Sequence, residues 1–381
     1  MGKLIRPNTG PNFGRLNRRS VMKGMGAGAM ALAAPSIVRA QDNDKVLNLL
    51  TWPGHADPAV VGPFTEATGI QVVAKEYVGG DNMVALVNQS PVGTYDVILS
   101  DAEFVIQLRD GGFIDPLTPE DYPFEDFFPE FQKFPGHWLE DELYSVIIRY
   151  GFLGVSYRTD MLSFEEVDTY QILLDPKVTG KVGYFDWYLP SMGCLSCGAG
   201  NVGHPYDIND TEFEALKTMM DQVKAQTAGF YSMADTFSSL TNGDAAIIPG
   251  VGDWITQLLA ADGVPVASWV PKEGGVQWTE SMCIGKGSAK QDMAKEFIQY
   301  MTSPEGQALS SVMPAYNASI PSKAGWEFLN ANMPDDAKRL RMTFEDNNVM
   351  DDYAAGKINI RKTPVQQEIE DWTDVWTDFK A

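Results

Sequence analysis

Few residues of this 381-residue chain are suited to covalent chemistry. It holds three cysteines (Cys194, Cys197 and Cys283) and three histidines (His55, His137 and His204). Cys194-Leu-Ser-Cys197 is a C-x-x-C, but Gly198 follows where haem attachment needs histidine. Zinc needs more ligands than the single nearby His204 supplies. The pair therefore reads as a local disulfide or as two small buried thiols, with a redox dithiol as the third reading. Cys283, in the apolar run Ser281-Met282-Cys283-Ile284, reads as core. There is no nucleophile elbow, no glycine motif after the first strand to cradle phosphate, and no His/Cys cluster. These exclusions point away from an enzyme and call for no metal or organic cofactor. Trp278 and Glu280 stand two apart in a strand-like run, so an indole and a carboxylate share one face.

The elements that must position such residues alternate. Val46 to Thr51 and Tyr95 to Leu99 read as buried strands, and Ile70 to Glu76 as an alternating one. Between them, Pro58 to Thr68 reads as a helix stopped by Gly69, and Asp81 to Asn88 as a shorter one. Gly112 to Gly136 is loop-like, and Tyr144 to Tyr157 is a long β-type stretch. Further strands are expected over Gly180 to Asp186, Asp244 to Pro249, Pro265 to Val270 and Trp278 to Ile284. Helices are expected over Phe164 to Leu174, Asp210 to Gln226 and Asp253 to Ala261, and through the C-terminal third (Ala289 to Thr302, Pro304 to Val312, Pro334 to Phe344, Thr363 to Lys380). Strand–helix–strand order with short links predicts an α/β fold with parallel sheet units. Ligands in such sheets sit beyond the carboxyl ends of the strands. That singles out Trp52 to His55, Ser100 to Glu103, Arg149-Tyr150, Asp186 to Tyr188 and Pro249 to Asp253.

Charge divides the chain. The first 41 residues hold seven basic residues and no acid, while the full chain is −22. A body this acidic repels nucleic acid and anionic membrane surfaces. Most of the charge reads as a solvated face. The front itself runs Arg18-Arg19-Ser20-Val21-Met22-Lys23, a Gly/Ala/Met run to Ala34, then Val38-Arg39-Ala40. This is a signal peptide over residues 1–40, with cleavage expected after Ala40. Its apolar run is about a dozen residues, against the ~20 that span a bilayer. The arginine pair resembles a twin-arginine signal, which implies export across a cell envelope to the periplasm.

Leu47-to-Thr51-Trp52, the run Pro63-Phe64-Thr65-Glu66-Ala67-Thr68-Gly69 onward to Tyr77, Tyr95-Asp96-Val97-Ile98-Leu99-Ser100-Asp101, Gly180-Lys181-Val182-Gly183, Asn242-Gly243-Asp244-Ala245-Ala246 and Pro271-Lys272-Glu273-Gly274-Gly275-Val276-Gln277-Trp278 together resemble the spermidine/putrescine-binding proteins of ABC transporters. The likeness extends over nearly all of the chain after the signal. It implies a two-lobed type II periplasmic binding protein, with the ligand cleft between lobes. One lobe would be residues 45–149 plus 279–317, the other 150–278 plus 318–381. It also implies a monomer that delivers a small amine-bearing solute to ABC permease subunits.

In that family, aromatic faces hold the methylene stem of a polyamine and carboxylates hold its ammonium groups. An ammonium over an indole gains roughly 0.5–2 kcal/mol, and a desolvated ammonium needs an anionic partner. The resemblance places Trp52, Ser100, Trp278, Glu280 and Tyr316 in the cleft. His55, Asp101, Arg149, Asp186 and Trp187 join them as residues at strand ends, while Trp254 and Trp269 read as core packing. Departures from the family pattern leave the ligand open. The paired acids after the Gly180 strand become Asp186 and Trp187, Ala102 replaces a tyrosine, and Arg149 is a cation with no use in a simple polyamine site. Glu280 with Asp186 or Asp101 would clamp a diamine. Glu280 with Arg149 would suit a zwitterion. Trp52, Trp187, Tyr188 and Trp278 would cage a quaternary amine.

Overall fold

The structure is a computed structural model that describes residues 44–381; the signal peptide and its cleavage site lie outside the described residues. The first strand, β1 (Val46–Thr51), is apolar along most of its length and pairs in parallel with β2 (Gln71–Glu76) and β3 (Val97–Asp101). The β1-to-β2 crossover is helix α1 (Pro58–Thr68). Asp57 caps it by accepting from the Ala59 N–H, Pro58 opens it, and Gly69 closes it in the left-handed region at φ 75°. Val60, Val61 and Phe64 form its buried stripe. Helix α2 (Gly80–Gln89) leads to β3.

Beyond β3 and the two-residue β4 (Ile114–Asp115) run two long strands. All thirteen residues of β5 (Val146–Arg158) and all eleven of β10 (Gly275–Gly285) are buried. Such unbroken burial needs cover on both faces, which explains their lack of polar alternation. Between them in the chain come β6 (Val182–Phe185), β7 (Thr227–Tyr231), β8 (Ile247–Gly252) and β9 (Val266–Trp269); β11 (Ile358–Ile360) closes the set. The eleven strands are ordered β2-β1-β3-β10-β5-β8-β6-β7, with β9 on β5 and both β4 and β11 on β10.

The two long strands change neighbours part-way. Over Glu280 to Ile284, β10 pairs antiparallel with β3; over Gly275 to Gln277 it pairs with β11. From Leu153 to Tyr157, β5 pairs with β8. β5 and β10 pair with each other, with a register shift between Glu280 and Ser281. Two groups of strands thus share one pair of crossing strands, and the buried cores of both meet there.

Several expectations need amendment. Tyr188–Gly198 is a helix, α3, buried along ten of its residues, which the reading of strands and helices passed over. So were β7 and the Met233–Asn242 helix after it. Phe164 to Leu174 is one α turn followed by a 3-10 turn. The C-terminal helices are shorter than expected: Pro334–Arg339 and Ile369–Lys380. Lys323–Asn332 and Val349–Ala354 are additional. Cys194 and Cys197 lie inside α3 as free buried thiols, as does Cys283 in β10. The disulfide reading is therefore replaced by the buried-thiol one, because a helix interior holds both side chains against packed neighbours. Burial lifts the Cys194 thiol to about 11, the opposite of a reactive cysteine.

Candidate functional site

Five predicted residues converge where β1, β3 and β10 end or cross. Trp52 follows β1, and its indole Nε1 donates to Asp101 Oδ2 at 2.9 Å. Trp278 and Glu280 project from the same face of β10, as their spacing requires. Tyr316 donates its hydroxyl to Glu280 Oε1 at 2.6 Å. Glu280 Oε2 accepts from Arg149 Nε at 2.6 Å and from His55 Nε2 at 3.0 Å. Burial alone would raise the Glu280 pKa. Arg149 first, then His55, outweigh it and hold the group down at about 2. His55 is shifted down, by burial and then by Arg149.

Arg149 is fully buried behind this carboxylate. Its Nη1 donates to the Ser310 carbonyl at 2.8 Å, and its guanidinium lies 4.2 Å from the Tyr316 ring centre. It thus faces Glu280 and Tyr316, and it does not line the cavity that they bound. Ser100 is likewise buried, its hydroxyl donating to the Asp101 carbonyl at 2.8 Å. Ser100, His55 and Arg149 form a supporting layer, while Trp52, Asp101, Trp187, Trp278, Glu280 and Tyr316 line the cavity.

Asp186 does not stand with them. It is exposed, accepting from Lys380 Nζ at 2.7 Å and Trp376 Nε1 at 3.3 Å. The alternation at the end of β6 decides this: Asp186 turns outward and Trp187 turns in. The Trp187 indole lies 5.7 Å from that of Trp52, packs over Gly79, and donates to Asp81 at 3.3 Å. It therefore touches the β1 and α2 side from the β6 side. Tyr188, offered as a fourth cage member, is buried in α3 and does not line the cavity.

Of the lining residues that escaped the sequence, two shape the site most. Trp254, read as packing, stands 5.8 Å from Tyr316, ring centre to ring centre. Arg361, just past β11, forks across the site: Nη2 donates to Asp101 Oδ1 and Nε to Glu103 Oε1, both at 2.5 Å, while the guanidinium lies 4.7 Å from the Trp187 ring centre. Only the three-residue run Ile358-Asn359-Ile360 before it signalled a strand. Burial raises the Glu103 pKa to about 7 against the pull of Arg361, and Asp101 adds to the rise. Asp101 itself is shifted up by burial, with Arg361 opposing.

The result is an aromatic box. Trp52, Trp187, Trp254, Trp278, Phe185 and Tyr316 wall a cavity of ≈ 50 Å³ with Asp101, Glu280 and Arg361. Its lining holds two carboxylates (Asp101, Glu280) and one guanidinium (Arg361), while Arg149 pairs with Glu280 and Glu103 with Arg361 behind it. The Trp278 Nε1–H is buried without a partner.

The family model described as "Bacterial extracellular solute-binding protein" matches residues 59–327. The chain belongs to this family. This solute-binding protein is 24% identical over 294 residues to the spermidine/putrescine-binding periplasmic protein of Salmonella typhimurium, covering 74% of this chain and 79% of that one. Among solved structures it resembles the spermidine/putrescine substrate-binding protein PotD of Streptococcus pneumoniae (TM-score 0.68, 19% identity, 88% of this chain and 98% of that one). It is equally similar in fold to MotA of A. tumefaciens B6, solved with glucopine (TM-score 0.68, 14% identity, 88% and 99%). The expected architecture holds: the solute-binding protein has the two-lobed fold, and its family is one of transport receptors, not enzymes. No helix among its described residues is long and apolar enough to cross a membrane.

Proposed function

We propose that this protein is the periplasmic receptor of an ABC importer and that it carries a small organic cation of low charge, a member of or relative to the polyamines. The observation that carries this reading is the aromatic box, whose carboxylates outnumber its guanidiniums by one. Each added ammonium beyond the first would be buried without a matching anion, which is costly. Relatives with polyamine names support the cation. Arg149 and Arg361, which hold Glu280 and Asp101, favour a single cationic centre over three. The cavity volume, ≈ 50 Å³, equals only a few waters' worth of room on the same measure.

A second reading is supported by Arg361. Its Nε and Nη2 are committed to Glu103 and Asp101, and the residue still lines the cavity. The carboxylate of a zwitterion with its ammonium in the box would meet that guanidinium.

Residues 45–149 with 279–317 and 150–278 with 318–381 are proposed as the lobes. The change of strand partners along β5 and β10 supports hinges near 149 and 279. Within 318–381 the Lys323–Asn332 helix departs from this division: Trp326 packs on Phe128 of the first lobe, ring centres 4.7 Å apart, so that helix is proposed as part of the first lobe. Export by the twin-arginine route remains part of this reading, supported by Arg18-Arg19.

Thermal unfolding against spermidine, putrescine, choline, glycine betaine and 4-aminobutyrate tests the proposal, since a ligand of the native state raises the melting temperature. Choline or a zwitterion should raise it most, putrescine less and spermidine least. A response confined to spermidine, or to none of the five, would defeat the charge argument.

A further inference from the structure

The acidic and the apolar residues of the aromatic box come from different elements. Its two carboxylates, Asp101 and Glu280, are direct partners in the antiparallel register of β3 with β10. Residues opposite each other in such a pair carry their side chains on one face. The two acids therefore form a single acidic locus, where one ammonium meets both. A diamine needs two loci, set apart by the length of its chain.

The rest of the wall supplies no second locus. It comes from β5, β6 and β8 and from the segments that follow β6 and β7. Leu153, Phe185, Pro190, Met233 and Trp254 line it, and none carries a charge. In the sheet order, β6 is separated from β3 by three strands. The acids nearest to these residues in the chain are turned elsewhere. Asp186 is exposed and accepts from Lys380 Nζ at 2.7 Å. Asp235, also exposed, accepts from the Ser232 hydroxyl at 2.7 Å. Asp253 is not among the lining residues of the box. The one charge that the later part of the chain brings to the box is Arg361, and it is positive.

We propose that the box takes a single-headed cation, an ammonium on a short apolar body, with the head at the Asp101–Glu280 pair and the body against Phe185, Met233 and Trp254. This deepens the first reading above and rests on it, since the box must first hold a cation. A methyl or methylene at the far end is buried favourably against carbon. A second ammonium there would lose its water and gain no anion.

The test is calorimetric titration of the full mature protein, at neutral pH, with n-pentylamine and putrescine. These are chains of equal length that differ only at the far end, a methyl in one and an ammonium in the other. Pentylamine should bind at least about tenfold more tightly. From propylamine to pentylamine, affinity should climb about fourfold per methylene as the body covers the wall. Met233 opens its helix and is half-buried, and the first turn of a helix accepts an acid. Met233→Glu should strengthen putrescine, weaken pentylamine and so reverse their order, whereas Met233→Gln should not. Circular dichroism verifies that both variants are folded, and the chain-length series on native protein stands without them. Putrescine binding native protein as tightly as pentylamine would overturn the proposal and leave the cation reading in place. So would a flat chain-length series, or tighter binding of 4-aminobutyrate than of pentylamine. An unchanged order in folded Met233→Glu would remove the body from that wall. Binding of neither amine nor of choline would defeat the cation reading itself.

Discussion

Replacing Arg361 would leave Asp101 and Glu103 side by side in a buried site without their shared cation. Breaking such a pair costs on the order of 3 kcal/mol, less whatever Glu103 recovers by taking up a proton. Arg361→Gln should therefore melt several degrees lower. It should also bind putrescine about tenfold better relative to choline, because the box then offers one more negative charge; the ratio of calorimetric dissociation constants reads this directly. An unchanged ratio would mean that Arg361 does not set the charge the ligand carries. Glu103 supplies a pH signature. Its folded pKa, about 7, lies above the ordinary 4.5 of a free glutamate, so the native state holds the extra proton between those values. Stability contributed by the protonated form is present below 4.5 and is lost as pH rises toward 7. Glu103→Gln should flatten that decline in melting temperature from pH 5 to pH 7. At this scale Trp52 and Asp101 were marked by strand ends and Trp278 with Glu280 by side-chain alternation, whereas Tyr316 came from the family resemblance alone. Arg361 was not, because its partner Asp101 lies 260 residues away in the chain and no local pattern links them.

Element geometry explains the remaining misses. Helix α3 reads Tyr-Leu-Pro-Ser-Met-Gly-Cys-Leu-Ser-Cys-Gly, with proline near its start and two glycines. Low helix propensity and burial on all sides remove both the composition and the amphipathic period by which a helix is recognised. Its thiols should behave accordingly. In native protein the three cysteines should resist a thiol reagent such as dithionitrobenzoate, and all should react once denaturant is added; rapid native labelling would contradict their burial. Crossing strands impose a second constraint that sequence conceals. On β5, a Cβ at Gly151 would come within 2.7 Å of the Trp278 indole. Gly151→Ala should force that ring to shift, cost about 1–3 kcal/mol and weaken ligand binding. Its melting temperature and ligand titration check both. Conversely, α1 was readable end to end because Asp57, Pro58 and Gly69 each carry a local signal.

Across the whole molecule, strand–helix alternation made the α/β class legible, and the two-lobed arrangement came from the family resemblance. How the lobes meet depends on contacts that only tertiary structure supplies. Trp187 is the central one. From the β6 side it reaches over Gly79, lies tilted against Trp52 and donates to Asp81, so one indole spans the proposed cleft. Part of the closed arrangement should rest on that residue even without ligand, with ligand adding the rest through Trp52, Trp278 and Glu280. X-ray scattering of the native protein should therefore show a modest decrease in radius of gyration on saturation with the best ligand. Trp187→Ala should begin more extended, contract more on saturation, and bind about tenfold more weakly, because ligand must then supply the closing energy that the indole provided. A variant as compact as native protein without ligand would show that closure is carried elsewhere, with the Arg361 fork to Asp101 and Glu103 and the Trp254–Tyr316 contact among the other links.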